Sequence, residues 1–274
     1  MDWFESIVYG LISGLARFLP ISSTAHMVIL DRFFGVDQPD PLRNFLVYIA
    51  LLAALITGFL PFFEQLRREQ VLSAHARRSS ALRAKQMDLR LAKNALFPML
   101  LLYLIFTYVF RNGIGLVGLS VILLLNGIIL FVPERMMQGN KGAQSMSVLD
   151  SYLIGLFAAL AAIPGFSGIG CIISICVARG ADRIKSMEWA AMLCLPVIAI
   201  AALVEFAGIF SAIGADYIQF SFFGYLLSIA GAYLGGYFGV ICMKYLSMRN
   251  GISGFAYYSW GAALFSFMLY LTVA

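Results

Sequence analysis

A chain of 274 residues in which 61% are hydrophobic and only 12% charged cannot cover a water-facing surface, since soluble domains are about half apolar and about a quarter charged. A mean hydropathy of +0.88 points instead to an all-α integral membrane protein. The formal charge of +5 fits Lys and Arg gathered in cytoplasmic loops and requires no nucleic acid partner.

The chain opens on Asp2 and Glu5 rather than a basic segment, so no cleaved signal peptide is expected. The first apolar region, 4–30, is interrupted by Arg17 and by Pro20-Ile21-Ser22-Ser23-Thr24. Spans are predicted at 44–63, 94–110 and 113–133, then at 189–203, 217–243 and 251–274. Each meets or approaches the ~20 apolar residues that cross ~30 Å of hydrocarbon. Between the two sets lies a second interrupted region, 152–177, broken at Pro164-Gly165-Phe166-Ser167-Gly168. A limb such as 4–17 would reach only about 21 Å at ~1.5 Å per residue. Both broken regions are therefore expected as re-entrant hairpins, because non-helical backbone at membrane depth must be satisfied by protein or by a water-filled cavity. The four cysteines lie in apolar stretches without a CxxC pair, which argues against disulfides and against a metal cluster.

Charge sets the expected topology. The segment 64–93, expected as a cytoplasmic loop, carries Arg67, Arg68, Arg77, Arg78, Arg83, Lys85, Arg90 and Lys93 and belongs inside. Alternation then puts Arg135 and Lys141 inside. If region 152–177 returns to its own side, Arg179, Arg183, Lys185, Lys244 and Arg249 follow them. A full span there would send those five outward. Pro20-Ile-Ser-Ser23 and Pro164-Gly-Phe-Ser167 share the spacing Pro-x-x-Ser, one in each hairpin. The expected architecture is a single polytopic domain, 1–274, with six transmembrane helices and two opposed re-entrant hairpins. It forms an inverted-topology repeat of 1–133 and 134–274, with a binding site where the hairpins meet.

Ser22, Ser23, Thr24 and His26 form the densest polar group in the first break. Hydroxyls beside an imidazole suit nucleophilic attack or phosphate binding, but the same hydroxyls suit capping of the helix that begins there. Arg17 suits a phosphate anchor, or a side chain that snorkels to the headgroups. Glu205, near the outer end of a span, suits either a site or a position facing water or a partner helix. Gly231, Gly235 and Gly239 form a small-residue stripe. Packing within the fold is expected for it, with a homodimer seam as the alternative.

Phe18-Leu-Pro-Ile-Ser-Ser-Thr-Ala-His26, the later Pro164-Gly-Phe-Ser167, and the pattern Gly180-Ala-Asp-Arg183, Glu188 and Pro196 resemble the undecaprenyl-diphosphate phosphatase family of bacitracin-resistance type, over nearly the whole chain. The resemblance implies six spans with two opposed hairpins in the bacterial cytoplasmic membrane, and a site facing the outer side. It also implies removal of one phosphate from the polyprenyl diphosphate carrier of wall synthesis. His26, Ser22 and Ser23 would be catalytic, while Arg17, Thr24, Ser167 and Gly168 would bind substrate phosphate. The departures from the family pattern are specific. Its two glutamates before Phe-Leu-Pro are Ser13 and Arg17 here, and the Arg, Ser and Thr of its second motif are Gly168, Ile169 and Ile172. With both carboxylates replaced, the family's divalent cation (Mg²⁺ or Ca²⁺) loses its ligands, and the site is expected to be degenerate. The alternative is a non-catalytic polyprenyl-phosphate binder or translocator.

Overall fold

The computed structural model describes residues 3–36, 40–75, 80–136, 139–212, 221–249 and 252–273. Arg77, Arg78, Asp2 and the ends of the spans predicted at 217–243 and 251–274 lie outside them. The described residues are helical almost throughout. In chain order the helices are α1 (Trp3–Phe18), α2 (Ser23–Phe34), α3 (Pro41–Gly58), α4 (Leu60–His75), α5 (Ser80–Val109), α6 (Leu116–Glu134), α7 (Val148–Ala159), α8 (Gly168–Ala178), α9 (Arg183–Ala212), α10 (Phe222–Arg249) and α11 (Gly254–Val273).

Among the described residues five stretches are long and apolar enough to cross a membrane: Pro41–Gly58, Asp88–Val109, Leu116–Glu134, Arg183–Ser211 and Phe222–Leu246. The sixth predicted span corresponds to α11. It has the length, but Tyr257, Tyr258, Ser259 and Trp260 make its first half more polar. Large apolar side chains cover the outside as well as the core. Phe97, Leu203, Phe238 and Leu264 are all exposed, as hydrocarbon solvent permits and water would not.

Two expectations change. The described residues of the basic segment 64–93 are helical and not a loop: they lie in α4 and the first part of α5. Its Leu, Ala, Arg, Lys, Gln and Glu are strong helix formers, and a charged helix beyond the hydrocarbon needs no irregular backbone. The first uninterrupted span also begins and ends earlier than 44–63. Asp40 caps α3, its Oδ1 accepting from the amides of Leu42 (3.0 Å) and Arg43 (3.2 Å). The helix stops at Gly58, and Pro61 lies in the first turn of α4.

Both regions predicted to be interrupted are interrupted, at 19–22 between α1 and α2 and at 163–167 after the 3₁₀ turn Leu160–Ala162 that extends α7. The first limb, α1, is held along α10 by a seam of small residues. A Cβ on Gly10 would strike the carbonyl of Ser228, and one on Gly235 would strike that of Leu11. The stripe Gly231, Gly235, Gly239 thus faces α1 within the chain, each glycine lying against α1 backbone. In hydrocarbon, where apolar burial gives little drive, such close approach supplies the packing.

One end of the bundle is tied by charge. Arg179 Nε donates to Asp150 at 2.5 Å, and Asp150 also completes a capping box with Ser147 on α7. Arg183 pairs with Glu134, whose other oxygen accepts the amide of Ile252 at 3.1 Å. The Gly180-Ala-Asp-Arg183 pattern therefore has a structural role. Gly180 takes a positive φ of 83°, and Asp182 caps α9 through the amide of Lys185 at 3.1 Å.

Candidate functional site

Ser22 turns the chain between α1 and α2 with φ 56° and ψ 97°, a region that non-glycine residues seldom occupy. Its hydroxyl accepts the Ala25 amide at 3.3 Å and lies 3.2 Å from the Thr24 hydroxyl. The same residue's carbonyl accepts from His26 Nδ1 at 2.7 Å. A carbonyl only accepts, so the neutral imidazole carries its proton on Nδ1. Nε2 then receives the Tyr258 hydroxyl of α11 at 2.6 Å. Substituting Ser22 separates backbone from chemistry. Ser22→Gly is expected to melt within a few tenths of a kcal/mol of wild type, because glycine keeps the turn and is a fair N-cap. Ser22→Val is expected to lose about 2 kcal/mol or more from strain and the lost cap. Thermal denaturation in detergent checks both.

The second break is built in parallel. Gly165 takes φ 110°, and Ser167 caps α8 by accepting the Gly170 amide at 3.2 Å. The Ser167 hydroxyl then donates across to the carbonyl of Leu19 at 3.3 Å, so the two breaks touch. Asn126, fully buried in the apolar helix α6, holds this arrangement. Its Oδ1 accepts the Ser167 amide at 2.9 Å, and its Nδ2 donates to Ser259 at 2.8 Å. Asn126→Leu would strand a buried amide and a buried hydroxyl, at roughly 1–3 kcal/mol for each unsatisfied group. The expected result is about 2 kcal/mol or more of lost stability, read by the same melting experiment.

Two cavities flank the junction. The smaller, about 10 Å³, is lined by Arg17, Ser23, Ser167 and Gly168 among others, and holds about one water at most. The larger, about 190 Å³, is lined by Tyr9, Ser13, Arg17, Thr24, Met27, Val28, Asp31, Asn44, Val47, Tyr48, Pro164 and Glu205. Arg17 belongs to both. It turns inward, Nη2 donating to the Tyr48 hydroxyl at 3.2 Å with the guanidinium 5.1 Å from that ring's centre. Its Nε is buried with no partner among the described residues.

Of the residues singled out in the sequence, Arg17 and Thr24 share the larger cavity with Ser13, while Arg17, Ser23, Ser167 and Gly168 share the smaller. Ser22 and His26 line neither. Ser22 is fully buried under its own cap, and His26 stacks on Tyr258 with ring centres 5.7 Å apart. Sequence reasoning missed Tyr9, Asp31, Asn44, Tyr48, Asn126 and Tyr258. A lone Asn in the middle of an apolar span was the one local signal among these, since such residues are costly in lipid. Tyr9 donates to Asn44 at 3.0 Å and Asn44 to Glu205 at 3.4 Å, which joins α1, α3 and α9 along the cavity wall. Among the described residues no three His, Cys, Asp or Glu gather as metal ligands.

A polytopic membrane protein with two broken helices meeting at a polar junction is thereby defined. The profile described as "Bacitracin resistance protein BacA" matches residues 6–265, and the chain belongs to that family. It is 28% identical to an undecaprenyl-diphosphatase of Prochlorococcus marinus (strain MIT 9312), with 99% of each chain covered. It is 27% identical to an undecaprenyl-diphosphatase of Carboxydothermus hydrogenoformans, over 95% of this chain and 94% of the relative. Undecaprenyl-diphosphatase 4 of Bacillus thuringiensis subsp. konkukian is 26% identical over 99% of both.

Proposed function

We propose that this protein acts on the polyprenyl phosphate or diphosphate carrier of wall synthesis in the bacterial inner membrane, through a rebuilt site in which Arg17 holds the phosphate. The observation that carries this reading is the half-buried guanidinium of Arg17, which lines both cavities where the helix breaks touch and keeps an Nε unpartnered among the described residues. In this reading α1–α2 and α7–α8 are opposed re-entrant hairpins of an inverted repeat, and α11 is the sixth span. The segment 64–93 is cytoplasmic and the site opens to the outer side.

The site is degenerate as a phosphatase. The family's divalent ion does not suit these residues, because Arg17 puts a positive charge into the cavity where a carboxylate would ligate. No step is therefore assigned to a metal. The guanidinium supplies electrostatic stabilisation of the phosphate instead. Loss of a comparable donor from the second motif, at Gly168, costs ~10²–10³ in rate. His26 would serve as base or nucleophile through Nε2, which Tyr258 must first release. Thr24, which lines the larger cavity with Arg17, would contact phosphate oxygens.

A second reading is a polyprenyl-phosphate binder or translocator without turnover. The position of His26 favours it: this residue lines neither cavity and its Nε2 is engaged by Tyr258. The Ser22 and Ser167 hydroxyls are likewise committed to helix caps. The decisive experiment is phosphate release from undecaprenyl diphosphate by the purified protein, with and without divalent cations, beside His26→Ala. Slow, cation-independent release abolished by His26→Ala supports the phosphatase. Saturable lipid-phosphate binding without release supports the binder. A requirement for Mg²⁺ or Ca²⁺ overturns the Arg17 site.

A further inference from the structure

The larger cavity is lined by ionisable side chains of both signs, which a phosphate-only site does not need. Arg17 enters it from α1, Asp31 from α2 and Glu205 from α9. Among the described residues Asp31 Oδ1 is buried without a hydrogen-bond donor, just as Arg17 Nε is buried without an acceptor. Glu205 receives a long bond of 3.4 Å from Asn44. Behind the wall Arg43 stacks on the Tyr9 ring at 4.2 Å and offsets part of the negative charge without lining the space. A diphosphate alone would satisfy Arg17 but face two carboxylates in a poorly screened setting, where like charges repel strongly. A cation alone would satisfy the carboxylates and face Arg17.

We infer that the cavity takes a lipid headgroup carrying both a phosphate and an ammonium, the phosphate on Arg17 and the ammonium between Asp31 and Glu205. This rests on the lipid-phosphate reading above and specifies its headgroup class. The cavity's 190 Å³ equals about six waters at ~30 Å³ each, which suits a phosphate with a small amino-bearing group while the lipid chain lies outside. The Tyr9, Tyr48 and Thr24 hydroxyls and the Asn44 amide offer further polar contacts along the wall. Two lipids present this chemistry: a polyprenyl phosphate bearing an amino sugar, and a glycerophospholipid with an aminoalkyl phosphodiester.

The test measures affinity of the full-length protein in detergent by native mass spectrometry. One pair of probes is undecaprenyl phosphate glycosylated with an amino sugar and with the matching neutral sugar. The other is phosphatidylethanolamine and its N-acetyl derivative. The expected result is a preference of about tenfold or more for the amine in one pair, which identifies the source. Glu205→Gln should bring that ratio to about one, and Asp31→Asn should lower it if the first variant does not fold. Ratios near one in both pairs, or a ratio indifferent to both substitutions, overturn the inference. Plain undecaprenyl phosphate separates the two proposals. Its dependence on Arg17 with no amine preference refutes only the headgroup class, whereas indifference of every probe to Arg17→Ala refutes the underlying site.

Discussion

Gly14→Leu is expected to prevent assembly of the bundle. An added Cβ at Gly14 would lie 2.5 Å from both the Ala232 carbonyl oxygen and the Gly236 nitrogen. Those atoms are backbone of α10, so no side-chain rotation relieves the overlap. Either α1 lifts away along the seam or α10 bends. Overpacking in a well-packed core costs about 1–3 kcal/mol where side chains can adjust, and here the expected loss is about 3 kcal/mol or more. Because α1 leads directly into the first break, the junction with Ser167 should be lost with it. The measurement is the recovery of monodisperse protein by size exclusion in detergent, with its melting temperature. Gly261→Leu is the control, since a Cβ at Gly261 meets nothing within 4 Å. Equal behaviour of the two variants would refute the seam.

Arg17→Ala is expected to weaken binding of undecaprenyl phosphate by about 10²-fold while leaving the protein folded. A hydrogen bond to a charged group contributes about 1.5–3 kcal/mol, and loss of the guanidinium also leaves Asp31 and Glu205 as the charges lining the cavity. Arg17→Lys should recover only part of the affinity, because an ammonium keeps the charge but not the planar fork of donors. Folding should survive because, among the described residues, the side chain's one hydrogen bond is that to Tyr48, and an alanine fits where the cavity opens. Binding by isothermal titration or native mass spectrometry reads both variants. Undiminished binding by Arg17→Ala would show that Arg17 serves packing and not the headgroup.

The class of protein, the family and the positions of the breaks were legible along the chain because each depends on local chemistry. Hydrocarbon requires long apolar helices, and Pro20 and Pro164 with their neighbouring hydroxyls interrupt helices wherever they fall. The departures from the family pattern at Ser13, Arg17 and Gly168 are likewise an expectation read along the chain, through the resemblance. The helical state of the described residues of 64–93 was misjudged because charge was taken as a sign of loop. Charge decides depth in the membrane, whereas helix propensity decides backbone.

What the tertiary structure decided are the pairings that sequence distance hides. Ser22 and His26 stand beside Thr24 in the chain, yet a helix turns successive side chains through about 100°. Thr24 therefore faces the cavity while His26 meets Tyr258, 232 residues away. Asn126 reads as an isolated polar residue until Ser167 and Ser259 are found on either side of its amide. Asp31 and Glu205 carry no common motif and join Arg17 only because α1, α2 and α9 close around one space. Membrane insertion and helix breaking are properties of a few neighbouring residues. A charged cavity is a property of helices brought together by close packing, and the packing of α1 on α10 sets where its residues point.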